Sequence, residues 1–251
     1  MKIVAIIQAR CGSKRLPQKH LQKVLGKPII WYLIKRLKKI SLLDEIVLAT
    51  TNLEEDLKLV KIAKELQIKY FQGSENDVLG RVTEAAKKYK ADLIFDVSGD
   101  CPLIDPEIAD QAIRTFLVNK NIDFLSTHWI VSYPNGLNVS LITRQFLIKS
   151  DEMVRGETER DGLYTLMFKK PEKFKTLFMI APKHLRRPNI TLVLDEYKDY
   201  LLLKQVITRL VKTKGIYFSC SDIVQLLDRN KELKKINTSV KRNSQPIKMI
   251  F

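Results

Sequence analysis

The sequence predicts an α/β protein whose core is a doubly wound, mostly parallel sheet. The first observation is that short apolar segments alternate four times with amphipathic helical segments within about the first hundred residues. The second is the first of these segments, residues 3–7, where five consecutive apolar residues indicate a strand buried on both faces. The third is a basic, glycine-containing loop directly after that strand, the position at which open α/β sheets hold phosphate groups.

Each predicted element rests on its own apolar pattern. Residues 29–39 place apolar side chains on one helical face opposite lysine and arginine, which predicts the first helix. Thr51 or Asn52 is expected to cap the second helix, and Asp105 before Pro106 is expected to cap a later one. After residue 122 the regular alternation weakens. The predicted strands are 3–7, 45–50, 68–71, 92–97, 137–142 and 190–194, and the predicted helices are 29–39, one through Leu59 and Leu66, 77–89, 143–149 and 198–211.

The loop after the first strand is the first candidate site. Its glycine allows the backbone to come close to a ligand, and exposed N–H groups together with several cations can enclose a polyphosphate. The alternative is a solvated basic loop without a ligand. The order of strand, glycine and cations favours the phosphate site, although neither common glycine-rich nucleotide signature is present. The residues concerned are Arg10, Gly12, Ser13, Lys14, Arg15 and Lys19.

Two acidic residues at the ends of predicted core strands are candidate metal ligands. Asp100 follows strand 92–97 at a point where no helix needs a cap, so its carboxylate is expected at the same sheet edge as the basic loop. Asp195 follows strand 190–194 in the same way, and the alternative for it is a helix cap formed by Asp195 or Glu196. Carboxylates at this edge suit a Mg²⁺ ion that bridges phosphate oxygens.

Several segments resemble one enzyme family. The pattern A-R-x-G-S-x-R-L-P-x-K-x-L, followed by Gly26-Lys27-Pro28, is similar to the opening of the CMP-sugar cytidylyltransferases. The similarity is greatest to the branch named for spore-coat polysaccharide biosynthesis, with the CMP-Kdo and CMP-sialate synthetases as relatives. Similar segments continue to about residue 205, at 73–81, 98–106, 133–139 and 192–199.

The resemblance implies a fold and a domain organisation. The fold would be Rossmann-like and GT-A-like, as in nucleotidyltransferases. Residues 1–230 would form one cytidylyltransferase domain, with 128–170 as a small insertion that serves as a lid or a dimer contact. Residues 231–251 would be a basic C-terminal tail, and the protein would be a homodimer.

The resemblance also implies the roles of individual residues. Four of them would be catalytic, namely Arg10, Arg15, Lys19 and Asp100. The CTP site would comprise Ala9, Arg10, Gly12, Ser13, Arg15, Lys19, Asp77, Arg81, Ser98 and Asp100. Mg²⁺ would be the cofactor, held by Asp100 and Asp195.

The chain departs from the family pattern in ways that concern the acceptor more than the nucleotide. Lys14 and Gln18 stand where the family has a small residue and a glycine, and Asp96 stands where it commonly has arginine. Residues 160–164 lack the family's histidine. We therefore expect transfer of CMP from CTP to a sugar, with an acidic eight- or nine-carbon sugar as the first expectation. The alternatives are another nucleotide or a non-sugar acceptor, and a non-catalytic nucleic-acid binder.

Composition narrows the class of protein. The 251 residues carry a net charge of +16, but eleven Lys and Arg and no acid fall within residues 1–43, where a polyphosphate would bind, and no nucleic-acid-binding motif is present. No apolar run is long enough to span a bilayer, and the chain enters a core strand without a signal sequence, so a cytoplasmic location is expected. Cys11, Cys101 and Cys220 have no metal-site or disulfide spacing and are expected as free thiols.

Overall fold

The structure, a computed structural model, describes residues 1–242, so part of the predicted basic tail lies outside the described residues. The strands are β1 (Ile3–Gln8), β2 (Lys23–Val24), β3 (Lys27–Pro28), β4 (Glu45–Thr51), β5 (Lys69–Gly73), β6 (Leu93–Ser98), β7 (Phe124–Ser126), β8 (Ser140–Thr143) and β9 (Thr176–Phe178). The helices are α1 (Ile29–Leu37), α2 (Leu57–Glu65), α3 (Val78–Lys88), α4 (Pro106–Val118), α5 (Arg144–Met153), α6 (Thr165–Lys169), α7 (Tyr197–Lys214), α8 (Cys220–Arg229) and α9 (Lys231–Lys235). In the described residues no helix is long and apolar enough to cross a membrane.

The central sheet has seven strands in the order β5-β4-β1-β6-β8-β7-β9. β8 pairs antiparallel with both β6 and β7, and the other strand pairs of this sheet are parallel. The chain adds strands outward from β1 to β4 and β5, and then returns to place β6 on the other side of β1. This reversal makes the carboxyl ends of β1 and β6 the expected position of a ligand cleft.

Helices cover both faces of the sheet, as a doubly wound fold requires. Alternate side chains of β1 enter two apolar clusters. Ala5 belongs to the cluster that contains residues of α1, α2, α4, α7 and α8, whereas Val4 belongs to the cluster that contains residues of α3, α5 and α6. The side chains of Val4 and Ala5, which point to opposite faces of the sheet, are both fully buried, and this explains why residues 3–7 are continuously apolar. The predicted fold class is confirmed.

The loop after β6 is held by a buried arginine. Arg36 of α1 is 1% exposed, and its guanidinium donates hydrogen bonds to the carbonyl oxygens of Ile104, Ile216 and Phe218 at 2.7, 2.8 and 2.8 Å. It thereby ties the segment before α4 to the connection between α7 and α8. Asp105 caps α4, with Pro106 in its first turn, as the sequence predicts.

Two sequence predictions about secondary structure are wrong. Residues 190–194 form no strand of the sheet, because their backbone groups bond to loops: Leu192 N–H donates to Asn135 O at 2.7 Å, and Leu194 N–H donates to Asp100 O at 2.9 Å. The segment is nevertheless extended and buried. Thr51 and Asn52 do not cap α2, because a 3-10 turn over Glu54–Asp56 precedes that helix.

Candidate active site

A cleft of about 700 Å³ opens at the carboxyl ends of β1 and β6. Nine of the ten residues predicted to bind the nucleotide line it. They are Ala9, Arg10, Gly12, Ser13, Arg15, Lys19, Arg81, Ser98 and Asp100. Gln8, Lys14, His20, Glu75, Asn76, Val78 and Asp161 complete the lining. The cleft therefore lies where the chain reversal of the fold and the basic loop coincide.

A buried carboxylate that the sequence did not point to holds the basic loop. Asp56 is 0% exposed and accepts hydrogen bonds from Cys11 N–H at 2.6 Å, from Thr51 N–H at 3.3 Å and from the Thr51 hydroxyl. Burial alone would raise the pKa of Asp56, but the hydrogen bonds from Thr51 and Cys11 outweigh it and leave the pKa below its usual value. Asp56 therefore fixes the loop as a carboxylate anion.

The two predicted metal ligands converge on one ammonium group. Lys19 Nζ lies 2.6 Å from Asp100 Oδ2 and 3.1 Å from Asp195 Oδ1, and Arg15 Nη2 lies 3.0 Å from the same oxygen of Asp195. The side chains of Lys19, Asp100 and Asp195 are only 13%, 15% and 20% exposed, so these charges interact with little screening by solvent. Lys19 and Asp100 line the cleft, and Asp195 contacts it through Lys19 and Arg15. The fold therefore brings together two acids that are 95 residues apart in the sequence.

The charges in this cluster stabilise one another. Burial acts to lower the pKa of Lys19, but Asp100 and Asp195 outweigh it and hold the pKa above its usual value. Burial acts to raise the pKa of Asp100, and Lys19 outweighs it and holds the pKa below its usual value. Lys19 and Asp100 are therefore both ionised at neutral pH.

Asp195 is held by backbone contacts on either side of it. Leu194 N–H donates to Asp100 O at 2.9 Å, which ties the two acid-bearing segments together. Glu196 caps α7, and the buried Asp199 accepts hydrogen bonds from Asp195 N–H and Glu196 N–H at 3.2 and 2.9 Å. Because Glu196 forms the cap, the side chain of Asp195 is left to face Lys19 and Arg15.

The other wall of the cleft is formed around Arg81 of α3. Its side chain is buried, its Nη1 donates to the carbonyl oxygens of Ser74 and Glu75, and burial lowers its pKa from the usual value. Among the described residues, Arg81 Nε and His20 Nδ1 are two buried nitrogens without a hydrogen-bond partner, and both belong to side chains that line the cleft. Such nitrogens are unusual in a finished interior and fit a site that a polar ligand completes.

Asp77 is the predicted nucleotide-contacting residue that does not line the cleft. Its carboxylate caps α3 by accepting from Gly80 N–H at 2.7 Å, and it pairs with Arg160, whose Nη2 is 2.9 Å from Asp77 Oδ2. Arg160 also binds Asp151 and the carbonyl of Val154. Both oxygens of Asp77 are thus used in holding the segment before α6 against α3.

His20 and Gly99 close the back of the cleft. His20 is 3% exposed, and burial lowers its pKa to about 4, so its ring is neutral. Gly99 N–H donates to Gln8 O at 2.8 Å, and a Cβ at position 99 would lie 2.8 Å from the Cβ of Ala9. Glycine is required there because the ends of β1 and β6 approach too closely for a side chain.

The residues present fit a Mg²⁺ ion bound together with a triphosphate. In residues 1–242 no cluster of three or more metal-ligating side chains is present, so a preformed all-protein metal cage is absent from that part of the chain. Mg²⁺ is usually held by one or two carboxylates plus substrate phosphates, and Asp100 and Asp195 supply that pair of oxygen donors. The cysteine ligands of a zinc site are not available, because Cys11, Cys101 and Cys220 are separate free thiols.

Fold and cleft together define an α/β nucleotidyltransferase. The chain matches the family described as cytidylyltransferase over residues 4–149. It is 35% identical over 244 residues to an uncharacterized protein of Methanocaldococcus jannaschii, covering 97% of this chain and 98% of that one. It is 28% identical over 233 residues to the spore coat polysaccharide biosynthesis protein SpsF of Bacillus subtilis, covering 91% and 95% of the two chains.

Two further comparisons agree with this. The 3-deoxy-manno-octulosonate cytidylyltransferase of Trichlorobacter lovleyi is 36% identical over 124 residues, which is 49% of this chain and 48% of that one. The solved structure of a cytidylyltransferase from Leptospira borgpetersenii superimposes with a TM-score of 0.89 at 31% identity, over 96% of this chain and 100% of that one. The chain belongs to the cytidylyltransferase family, and it is a CTP-dependent nucleotidyltransferase. The resemblance read from the sequence is confirmed.

Proposed function

We propose that the cleft binds CTP with Mg²⁺ and that the enzyme transfers CMP to a hydroxyl group of a sugar, releasing pyrophosphate. The observation that carries this is the convergence of Arg15 and Lys19 with Asp100 and Asp195 at one end of the cleft. Cations there suit a triphosphate, and two carboxylates there suit the ion that accompanies it. The sugar acceptor is supported by the similarity of the chain to SpsF, a spore coat polysaccharide biosynthesis protein.

The reaction needs positioning and charge neutralisation more than covalent participation of the protein. The acceptor oxygen attacks the α-phosphorus of CTP, the bond from that phosphorus to the oxygen shared with the β-phosphate breaks, and pyrophosphate leaves. The hydroxyl proton is released to solvent. Arg10, Arg15 and Lys19 line the cleft as cations, and they are the groups that would neutralise the departing pyrophosphate.

A metal ion would add to this neutralisation. Asp100 and Asp195 are the side chains that would hold Mg²⁺, which when bound supplies positive charge beside the phosphate oxygens. The two aspartates hold the Lys19 ammonium between them at 2.6 and 3.1 Å, so they already tolerate a cation at that point.

The proposal is tested by thermal shift with each of the four ribonucleoside triphosphates, with and without Mg²⁺. Selective stabilisation by CTP that requires Mg²⁺ is the expected result. Equal stabilisation by all four triphosphates would contradict CTP selectivity, and stabilisation by another one would assign a different nucleotide. If none of the four triphosphates raised the melting temperature and the protein bound RNA tightly, the proposed nucleotide site would be contradicted and nucleic-acid binding would be favoured.

We further propose that the protein is a homodimer whose contact includes residues 128–170. The aromatic rings of Trp129, Phe168 and Phe178 stack with centroid distances of 4.7 and 5.7 Å, yet Phe168 is 56% exposed and Phe178 is 37% exposed. Val131 and Ile180 are 49% and 50% exposed. Apolar surface of this kind is typical of a protein contact.

A further inference from the structure

Two cations of the basic loop and two carboxylates form a charge-balanced cluster beside the cleft. Lys19 Nζ lies 2.6 Å from Asp100 Oδ2 and 3.1 Å from Asp195 Oδ1. Arg15 Nη2 lies 3.0 Å from the same oxygen of Asp195. The cluster therefore carries no net charge, although it contains both side chains that are proposed to hold Mg²⁺. A divalent cation on its own is attracted only weakly to such a neutral group of charges.

The Lys19 ammonium lies between the two carboxylates that the metal ion would use. It contacts one oxygen of each, and the other oxygen of Asp100, Oδ1, accepts a hydrogen bond from Cys101 Sγ at 3.6 Å. A metal ion held by both aspartates must therefore compete with the ammonium for the same oxygens. The competition is strong because the side chains of Lys19, Asp100 and Asp195 are at most 20% exposed, so water screens their charges little.

Backbone contacts that do not involve Lys19 hold the two aspartates near each other. Leu194 N–H donates to Asp100 O at 2.9 Å, and the carboxylate of Asp199 accepts from Asp195 N–H at 3.2 Å. Removal of the Lys19 ammonium would therefore leave both carboxylates close together with one cation, Arg15, beside them. Two carboxylates in this situation repel each other, and a divalent ion relieves the repulsion.

We propose that the Lys19 ammonium takes the place of the metal ion between Asp100 and Asp195 until a triphosphate binds, so that metal and nucleotide enter the site together. This inference rests on the proposed binding of CTP with Mg²⁺ and explains how the two are coupled. A triphosphate supplies anionic oxygens that pair with Lys19 and Arg15, and the carboxylates then become available to the metal. The coupling is reciprocal, because each ligand must raise the affinity for the other by the same factor.

The test measures binding of Mn²⁺ alone, from the electron paramagnetic resonance signal of the free ion. Mn²⁺ takes the same oxygen ligands as Mg²⁺, and the nucleotide is left out because a triphosphate itself binds the ion. The wild type is expected to bind Mn²⁺ weakly, with a Kd of about 1 mM or higher. Lys19→Met is expected to bind it about tenfold or more tightly, because the carboxylates are then free for the metal. Mn²⁺ should also raise the melting temperature of this variant more than that of the wild type.

Lys14→Met is the matched control. Lys14 lines the same cleft but lies outside the cluster, so this variant removes the same charge without releasing a carboxylate. It is expected to leave Mn²⁺ affinity within about twofold of the wild type. The double variant Lys19→Met/Asp195→Asn is expected to lose the gain, which would assign the Mn²⁺ ion to the two aspartates.

Three results would overturn the inference: micromolar binding of Mn²⁺ alone by the wild type, no gain in Lys19→Met, or an equal gain in Lys14→Met. If Lys19→Met does not fold, Lys19→Gln and the wild-type titration decide in the same way. Binding of CTP with Mg²⁺ to the wild type is measured in parallel by calorimetry. Absence of that binding would contradict the proposed function, whereas CTP binding without a gain in Lys19→Met would contradict this inference alone.

Discussion

The support of the basic loop by Asp56 gives a prediction in which stability and ligand binding change together. Asp56→Asn keeps the shape of the side chain but places an amide N–H₂ where donors from Cys11 and Thr51 converge. Each hydrogen bond to a charged group contributes about 1.5–3 kcal/mol, and the variant loses at least one while leaving a buried donor unpaired. We therefore expect a loss of about 3 kcal/mol in the free energy of unfolding, since Asp56 is fully buried and unscreened.

Urea unfolding monitored by circular dichroism measures this loss, and calorimetric titration with CTP measures the effect on the site. CTP affinity is expected to fall by about tenfold, because the loop that carries Arg10, Arg15 and Lys19 loses its anchor. Asp110→Asn is the matched control. Asp110 accepts from Ser41 N–H, the Ser41 hydroxyl and Leu42 N–H at 3.1, 2.9 and 3.0 Å, before β4 and at the opposite end of the sheet. It should lose comparable stability with unchanged CTP affinity.

The pH dependence supplies an independent check on Asp56. Because its pKa is lowered in the folded state, its carboxylate stabilises the wild type above the unfolded carboxyl pKa of about 4, and this contribution is lost as the pH falls through the folded pKa. The stability difference between the wild type and Asp56→Asn should therefore narrow below about pH 4. A loss of less than about 1 kcal/mol at pH 7, or equal loss of CTP affinity in Asp110→Asn, would refute the reasoning.

Four other outcomes are expected. Arg15→Lys should weaken CTP binding more than about tenfold by calorimetry, because lysine lacks the paired donors that arginine offers a phosphate; unchanged binding in Arg15→Ala would exclude the loop from the site. Asp100→Asn and Asp195→Asn should each abolish most pyrophosphate release, with the double variant little worse than either; near-normal turnover of Asp195→Asn alone would refute a shared ion. Light scattering should give twice the chain mass, because the exposed apolar surface within residues 128–170 is expected to be covered in a dimer. A mass equal to one chain would contradict dimerisation. Because burial lowers the pKa of His20 to about 4, stability should decline from about pH 6.5 to 4 by roughly 3 kcal/mol at most, and His20→Leu should show a flatter urea-midpoint profile.

Local patterns were sufficient for β1, β4, β5 and β6, the parallel part of the sheet around the cleft, and for the loop after β1. Residues 3–7 are apolar because both faces of β1 are covered. The continuous apolar run was therefore enough, by itself, to predict a strand buried on both faces. Position at a strand end likewise predicted Asp100 correctly as a cleft residue. Asp105 was identifiable as a cap, because a proline in the first helical turn is a local signal.

Long-range contacts were not visible in the sequence. Asp56 is one acid in the run Glu54-Glu55-Asp56, and nothing in its spacing shows that its partner is the backbone of Cys11. Asp77 has the local context of a nucleotide-binding segment, but the distant Arg160 occupies its carboxylate. Residues 190–194 have the composition of a strand because they are extended and buried, whereas their hydrogen bonds go to loops that only the folded chain brings near.

The contacts of Asp199 have a practical consequence for anyone who produces this protein. The carboxylate that supports the backbone of Asp195 also accepts a hydrogen bond from Asn237 at 2.7 Å and pairs with Arg242 at 2.6 Å. A chain shortened to end before Asn237 would leave that buried carboxylate without these two donors, next to the backbone of Asp195. An affinity tag is therefore better attached before Met1, which is 73% exposed, than at a shortened C-terminus.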